Sequence, residues 1–189
     1  MRMGIFAGSI NDGTIDQVVA DARRAEEDGF ASFWVPQIFG HDALTALAVV
    51  GREVPRIELG TSVVPTFPRH PMVLAQQALT VNAASGGRLC LGIGLSHKIV
   101  IENMMGLSFD KPVRHLREYL DVLVPLSRGQ AVSVAGEMYR TQAALNVAGS
   151  SPATGRCSTR RVRPGQPTSR SPAPPARSPI ASAPSPTWA

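Results

Sequence analysis

Residues 56–97 read RIELGTSVVPTFPRHPMVLAQQALTVNAASGGRLCLGIGLSH, and this stretch decides the fold. Its apolar, β-branched segment 57–64 is typical of a parallel strand buried on both faces, and the prolines that follow predict the end of the strand and the start of a helix. Residues 89–93 predict a second such strand. Two parallel strands joined by a helix form a βαβ unit, in which ligands bind beyond the carboxyl ends of the strands. Here those ends are residues 62–66 and 94–97.

The same alternation of strand and helix continues through the rest of the first 148 residues. Four strand–helix units predict an α/β fold with a parallel sheet and outer helices, either as an open doubly wound sheet or as the first half of an eight-stranded barrel. An alternating segment after the last helix predicts a hairpin at residues 130–141. The other predicted elements are strands at 3–7 and 31–35, a helix from Ile15 to the Asp28-Gly29 pair, and helices at 41–53, 71–84, 99–105 and 112–126.

The last of these helices carries a run of apolar residues at helical spacing. We expect its inward side to be formed by Val113, Leu116, Leu120, Leu123 and Val124. Charged residues between them, including the group Arg114, Arg117 and Glu118, fall at spacings typical of a solvated face. Glu102, on the preceding short helix, is interpreted in the same way. No functional site is predicted at these charges.

The composition divides the chain at residue 149. Residues 1–148 hold all 14 acidic residues against 13 of the 19 Lys and Arg, whereas residues 149–189 hold six Arg, nine of the 16 Pro and no acidic residue. The net charge of +5 therefore depends on the tail. Because the tail has almost no apolar bulk to offset the conformational entropy of ordering, we predict one domain at 1–148 and a disordered Pro/Arg/Ser-rich segment at 149–189.

Cysteine content and the amino terminus favour a cytoplasmic protein. Cys90 and Cys157 lie far apart and have no second ligand at metal-binding spacing, so neither a disulfide nor a zinc site is expected. The apolar run 3–7 is too short for a signal peptide or a membrane span. We expect no membrane partner.

Several segments together resemble the amino-terminal half of the bacterial luciferase-like oxidoreductases, particularly the branch that uses the deazaflavin coenzyme F420. They are DARRAEEDGFASFWVPQ at 21–37, RIELGTSVV at 56–64, AQQALTVNAASGGRLCLGIGLSH at 75–97, GLSF at 106–109 and REYLDVL at 117–123. The resemblance covers residues 3 to about 147. It implies a luciferase-like TIM barrel truncated after about four units, and a bulge near Ser62 and Val63 that often contains a non-proline cis peptide.

The resemblance also implies the chemistry. Reduced coenzyme F420 would exchange a hydride with an unidentified small organic substrate, while the protein orients the reacting ring and supplies a proton donor. Two alternatives stay open: an FMN-dependent luciferase-like monooxygenase, and an inactive barrel fragment.

Candidate cofactor-binding residues lie at the predicted strand exits. The bulge supplies Ser62, Val63 and Thr66, and the next strand exit supplies Gly92, Gly94 and Ser96. The glycines could allow close approach of the main chain to a ligand, but they lack the third glycine of a dinucleotide-binding motif, and no Gly-Lys-Ser/Thr follows. A Rossmann site and a P-loop are therefore excluded. The exit of the second strand adds Gln37, and Trp34 is interpreted as core or pocket floor.

Two histidines are the candidate catalytic residues. His97 follows the fourth strand and His41 follows the second, and an imidazole titrates near neutral pH, so either could act as general acid or base. Gly8 and Ser9 lie at the exit of the first strand, at the same end of the sheet, and are weaker candidates for the site.

From Gly149 onward the sequence departs from the family pattern. We interpret the tail as the product of a frameshift or truncation in a GC-rich gene, with a genuine disordered extension as the alternative. Four units leave a sheet edge uncovered, which a homodimer could cover. The tail has six arginines but only Trp188 to stack on bases, which is weak evidence for nucleic-acid binding. We therefore expect no nucleic-acid partner.

Overall fold

The computed structural model describes residues 1–150 as strands alternating with helices. The strands are β1 (Gly4–Phe6), β2 (Ser32–Val35), β3 (Glu58–Thr61), β4 (Val64–Pro65), β5 (Leu89–Cys90), β6 (Ile93–Gly94), β7 (Val132–Ala135) and β8 (Arg140–Ala143). The helices are α1 (Ser9–Asp12), α2 (Ile15–Glu27), α3 (Ala43–Glu53), α4 (Pro71–Ala84) and α5 (Pro112–Ser127), with a π-helical turn at Val100–Met104.

The central sheet is parallel, with the order β1-β2-β3-β5. Its register aligns Phe6 with Trp34, Trp34 with Gly60, and Gly60 with Cys90. β3 and β5 each end after a few residues, and the chain then forms the short strands β4 and β6. These two short strands pair in parallel. The parallel α/β class is confirmed, but the predicted strands 57–64 and 89–93 are each divided in two. The sequence pattern predicts neither α1 nor the π-helical geometry of 100–104.

Capping sets the starts of two helices. Thr14 and Gln17 form a reciprocal capping box at the start of α2, with the Thr14 N–H donating to Oε1 of Gln17 at 2.7 Å. At α3, Oδ1 of Asp42 accepts the N–H of Thr45 at 2.9 Å. The prediction that His41 begins this helix was wrong by two residues, because the Asp42 carboxylate caps the free N–H groups of the first turn.

The helix α4 has the bounds predicted for it. Pro71 occupies its first turn, where a missing N–H costs nothing. After Ser85 the chain turns through Gly86 and Gly87, whose φ angles of +67° and +87° suit glycine.

The core lies between the sheet and the outer helices. The outward side chains of β2 and β3, Phe33, Val35 and Leu59, are fully or almost fully buried against this layer. On the opposite face of the sheet, Phe6 is 58% exposed and Trp34 is half-buried. The helical side of the core is completed by Val18, Ala22, Leu44, Leu47, Val50, Leu74, Ala75, Tyr119, Val122 and Leu126.

The inward face of α5 matches the predicted one only in part. Leu123 is buried as predicted. Val113 is 75% exposed and Leu120 is 38% exposed, although both were expected to be buried. The residues that face the core are His115, Tyr119, Val122, Leu123 and Leu126. This side is buried because the imidazole of His115 hydrogen-bonds Thr66 and packs against the ring of Tyr119.

The predicted hairpin after α5 is confirmed. β7 and β8 pair antiparallel from Val132↔Ala143 to Ala135↔Arg140. Its turn is held by Glu118, whose carboxylate accepts N–H groups from Glu137 at 3.2 Å, Met138 at 2.7 Å and Tyr139 at 3.0 Å. Glu118 therefore has a structural role that charge spacing alone does not predict.

Residues 151–189 lie outside the described part of the chain. The predicted domain boundary at 148/149, the disorder of the tail and the state of Cys157 therefore stay predictions. Within residues 1–150 no helix is both long enough and apolar enough to cross a membrane. The same residues contain no group of three or more His, Cys, Asp or Glu side chains placed to hold a metal ion.

Candidate functional site

The carboxyl end of β3 forms an exposed ledge made of Ser62 and Val63. Both residues are exposed, whereas Thr61 before them and Val64 after them are completely buried. The Ser62–Val63 peptide bond is cis, which confirms the feature implied for this turn by the family resemblance. The Ser62 N–H donates to the carbonyl of Val35 at 2.8 Å, so the ledge is tied to the end of β2.

The two predicted glycines lie directly behind this ledge. Thr61 Oγ1 donates to the Gly92 carbonyl at 2.8 Å and accepts the Gly92 N–H at 2.9 Å. A Cβ on Gly92 would collide with the Thr61 carbonyl oxygen, and one on Gly94 would lie 2.6 Å from Cγ2 of Val63. Glycine is therefore required at position 92, where the contact is with main chain. At position 94 an added Cβ would displace the Val63 side chain, so Gly94 lets that side chain pack where it does.

The loop after β2 is fixed by two polar side chains. Oε1 of Gln37 accepts the N–H of Ala43 at 2.9 Å, which joins the loop to the start of α3. Nε2 of His41 lies 2.8 Å from the carbonyl oxygen of Gly13 and donates to it, because a carbonyl only accepts. Both side chains therefore stabilise the loop, and the NH2 group of Gln37 remains a donor.

The loop after β6 presents the other predicted pair. Ser96 has a φ of +66°, an uncommon conformation for a residue other than glycine, and it is half-buried. His97 is exposed, and its carbonyl accepts the N–H groups of Val100 and Ile101 at 3.0 Å. The main chain of His97 therefore starts the π-helical turn, while its imidazole is left at the surface.

Thr66 is not exposed at all, although it was predicted as a binding residue. Its Oγ1 lies 2.9 Å from Nε2 of the buried His115, and Nδ1 of that ring lies 3.3 Å from the hydroxyl of Tyr139. The imidazole also stacks on Phe67 with centroids 3.8 Å apart and planes 1° from parallel. Thr66 therefore anchors the segment after β4 to α5 and to the hairpin.

Burial sets the electrostatics of this cluster. Desolvation lowers the pKa of His115, which keeps the imidazole neutral. Desolvation, with a smaller contribution from the Glu118 carboxylate, raises the pKa of Tyr139 to about 12. The pKa of Tyr119 is also raised, mainly by desolvation, and its hydroxyl has no hydrogen-bond partner among residues 1–150. Sequence reasoning missed this cluster; the i, i+4 spacing of His115 and Tyr119 was the available signal.

Trp34 lies on the open face of the sheet. Its Nε1 donates to Ser32 Oγ at 2.8 Å. A Cβ added to Gly4 would lie 3.0 Å from that nitrogen, and one added to Gly60 would collide with the six-membered ring. The indole therefore lies across the strands, in space left by Gly4 and Gly60. It forms part of the floor of the candidate site.

An ion pair joins the β4–α4 connection to the start of α3. Arg69, from the β4–α4 connection, pairs with Asp42, the residue that caps α3. Asp42 accepts the N–H of Thr45 through Oδ1 and binds Arg69 through Oδ2. The guanidinium is mostly buried, so its charge is committed to this internal contact.

Comparison with known proteins decides the family. A family model for luciferase-like monooxygenases matches residues 1–173. The chain belongs to this family. A Mycobacterium tuberculosis protein named as a coenzyme F420-dependent oxidoreductase is 40% identical over 117 residues, which are 61% of this chain and 34% of that protein. An F420-dependent glucose-6-phosphate dehydrogenase of Nakamurella multipartita is 35% identical over 133 residues, covering 64% of this chain and 39% of the relative.

Solved structures agree on the fold of this luciferase-like chain. The coenzyme F420-dependent tetrahydromethanopterin reductase of Methanopyrus kandleri has a TM-score of 0.70 at 22% identity, covering 82% of this chain and 47% of that one. The oxygenating constituent of 3,6-diketocamphane monooxygenase from Pseudomonas putida, in complex with FMN, has a TM-score of 0.68 at 16% identity, covering 80% and 50%. The fold thus corresponds to about half of a luciferase-like barrel. The chain spans less than half the length of the curated relatives named above.

Proposed function

We propose that this chain forms one side of an oxidoreductase site in which the deazaflavin coenzyme F420 exchanges a hydride with a small organic substrate. The observation that carries the proposal is the ledge of Ser62 and Val63, exposed between buried neighbours at the carboxyl ends of the parallel strands. Membership of the luciferase-like family supports an oxidoreductase. The relatives named for coenzyme F420 support deazaflavin as the cofactor.

The residues present fit a flat, mostly apolar ring system. Val63 offers an apolar side chain that is 41% exposed, and its position is fixed by the packing of Gly94 behind it. Ser62, Ser96 and the free NH2 group of Gln37 are the polar groups that would bind the ring carbonyls and nitrogens. Thr66, Gly92 and Gly94 would act indirectly, by holding the ledge in place.

A bound deazaflavin would supply the hydride-transfer chemistry. The residues of the chain would orient the ring, exclude water and move a proton. His97 is the better candidate for the proton donor because its ring is exposed, whereas Nε2 of His41 already donates to Gly13. Effective transfer requires the reacting atoms to be held at about 3–3.5 Å, which a fixed ledge favours.

The proposal is tested by titrating the 189-residue chain with coenzyme F420 and with FMN, followed by fluorescence. We expect coenzyme F420 to bind, and Val63→Asp to weaken binding at least tenfold because a carboxylate would be desolvated beneath the ring. Val113→Asp is the matched control, since Val113 is an exposed valine on α5.

Preferential binding of FMN would instead support the luciferase-like monooxygenase. Binding of neither compound by folded protein would overturn the proposal and favour an inactive fragment. Molecular mass in solution, measured on the same samples, tests the predicted homodimer.

A further inference from the structure

We propose that the substrate bound beside the ledge is a neutral, largely apolar organic compound, held by the loops after β2 and β6. This inference rests on the proposed function, because it names the substrate class for the same site.

Large apolar side chains are exposed on three connections at one end of the sheet. Ile38 and Phe39 follow β2 and are 53% and 65% exposed, and Ile99 and Met104 follow β6 and are 65% and 63% exposed. Val63 follows β3, which lies between β2 and β5 in the sheet. Since the carboxyl ends of parallel strands meet at one edge, we define these five residues as the apolar rim. Exposed apolar groups concentrated in this way indicate a binding surface.

The basic side chains near the apolar rim each have a carboxylate partner. The connections 36–42, 62–70 and 95–111 contain three Lys or Arg residues, Arg69, Lys98 and Lys111. Arg69 pairs with Asp42, the Nζ of Lys98 lies 3.7 Å from a carboxylate oxygen of Glu102, and Lys111 pairs with Glu137. An anionic substrate such as a phosphate ester requires cationic or N–H donors that it can engage. The described side of the site therefore favours a neutral compound.

The position of Val63 links the apolar rim to the proposed cofactor. Val63 belongs both to the rim and to the ledge that would carry the ring, so a compound bound on the rim lies next to that ring. A hydride acceptor must occupy this place for transfer to occur. The continuity of the two surfaces favours a substrate over a second copy of the chain as the occupant.

The test uses two fluorescent probes with the same ring system and different charge. N-Phenyl-1-naphthylamine is neutral, and 8-anilino-1-naphthalenesulfonate carries one sulfonate. We expect the full chain to bind the neutral probe at least tenfold more tightly than the anionic one. Phe39→Ser and Ile99→Ser should each weaken binding of the neutral probe at least fivefold, because each removes apolar contact area. Val49→Ser, at a valine of α3 that is 39% exposed, should leave its affinity within twofold.

Three results would overturn the inference: equal binding of both probes, unchanged binding in both rim variants, or a rim variant that lowers the molecular mass in solution and keeps probe binding. The last would identify the rim as an interface between copies. Titration of the unmodified chain with coenzyme F420 separates the two proposals. If the chain does not bind the coenzyme but still binds the neutral probe through the apolar rim, only the cofactor assignment is removed.

Discussion

Nε2 of His115 lies 2.9 Å from Oγ1 of Thr66, and this contact joins α5 to the segment that leaves β4. The two residues are 49 positions apart in the sequence, and both are buried. Their contact fixes the segment directly after the ledge, so the stability of the strand exit depends on a side chain from a distant helix.

Replacing His115 should destabilise the protein by different amounts according to what is retained. His115→Ala removes a buried ring and should lower the free energy of unfolding by about 2–4 kcal/mol. His115→Phe keeps a ring against Phe67 but leaves the Thr66 hydroxyl unsatisfied, and should cost about 1–3 kcal/mol. Urea unfolding measures both. Arg117→Ala, on the exposed side of α5, is the control; equal effects of all three variants would contradict a specific role for His115.

The buried imidazole also predicts acid sensitivity. The pKa of His115 is lowered in the folded protein by desolvation, so between that value and the unfolded value of about 6.5 the unfolded chain binds more protons. Stability should therefore fall as the pH is lowered below about 6.5. Urea midpoints measured from pH 7.5 down to pH 5 should drop less in His115→Phe than in the parent chain. An identical pH dependence in the two proteins would refute this assignment.

Alkaline conditions should act through Tyr139. Its pKa is raised to about 12 in the folded state, mainly by desolvation. The Tyr139 phenol therefore loses its proton at a lower pH in the unfolded chain than in the folded one. Stability should decrease as the pH rises from about 10 to about 12. Spectrophotometric titration of the phenol near 295 nm, compared with Tyr139→Phe, checks this. Titration of both tyrosines of the native chain at their ordinary pKa would show that the hydroxyl is not buried as described.

Gly92 should tolerate no side chain. A Cβ there would meet the main-chain carbonyl of Thr61, so Gly92→Ala should lower the free energy of unfolding by about 1–3 kcal/mol. At this chain length that corresponds to a loss of roughly 2–4 °C in Tm per kcal/mol. Gly8→Ala is the control, because a Cβ on Gly8 has nothing within 4 Å. Calorimetry that found the two variants alike would rule out the tight approach of the strands.

Glu118 should be required by the hairpin. Its carboxylate accepts three main-chain N–H groups of the turn, and a charged acceptor of this kind contributes about 1.5–3 kcal/mol per bond before non-additivity. Glu118→Ala should lower stability by at least 2 kcal/mol and speed amide exchange at Met138 and Tyr139. Asp121→Asn, an exposed position on the same helix, should have neither effect. Unchanged exchange in Glu118→Ala would show that the turn forms without it.

Much of this architecture was predictable because it depends on local patterns. The bounds of α4 follow from Pro71 and the two glycines after Ser85, and the hairpin follows from alternation in 130–141. The face of α5 was not predictable in the same way. Val113 and Leu120 have the spacing of a buried side, yet both are exposed. The buried residues are His115, which contacts Thr66, and Tyr119, whose ring packs against that imidazole.

The sequence by itself determined the parallel α/β order and the luciferase-like resemblance, and it predicted a site at the strand exits, because these depend on periodicity, capping and short motifs. Only the tertiary structure decided which predicted site residues are exposed. It exposed Ser62, Val63 and His97, buried Thr66 against His115, and tied Gln37 and His41 into the loop after β2. The physical reason is that exposure and hydrogen-bond partners depend on segments that are distant along the chain and meet only when the helices pack on the sheet.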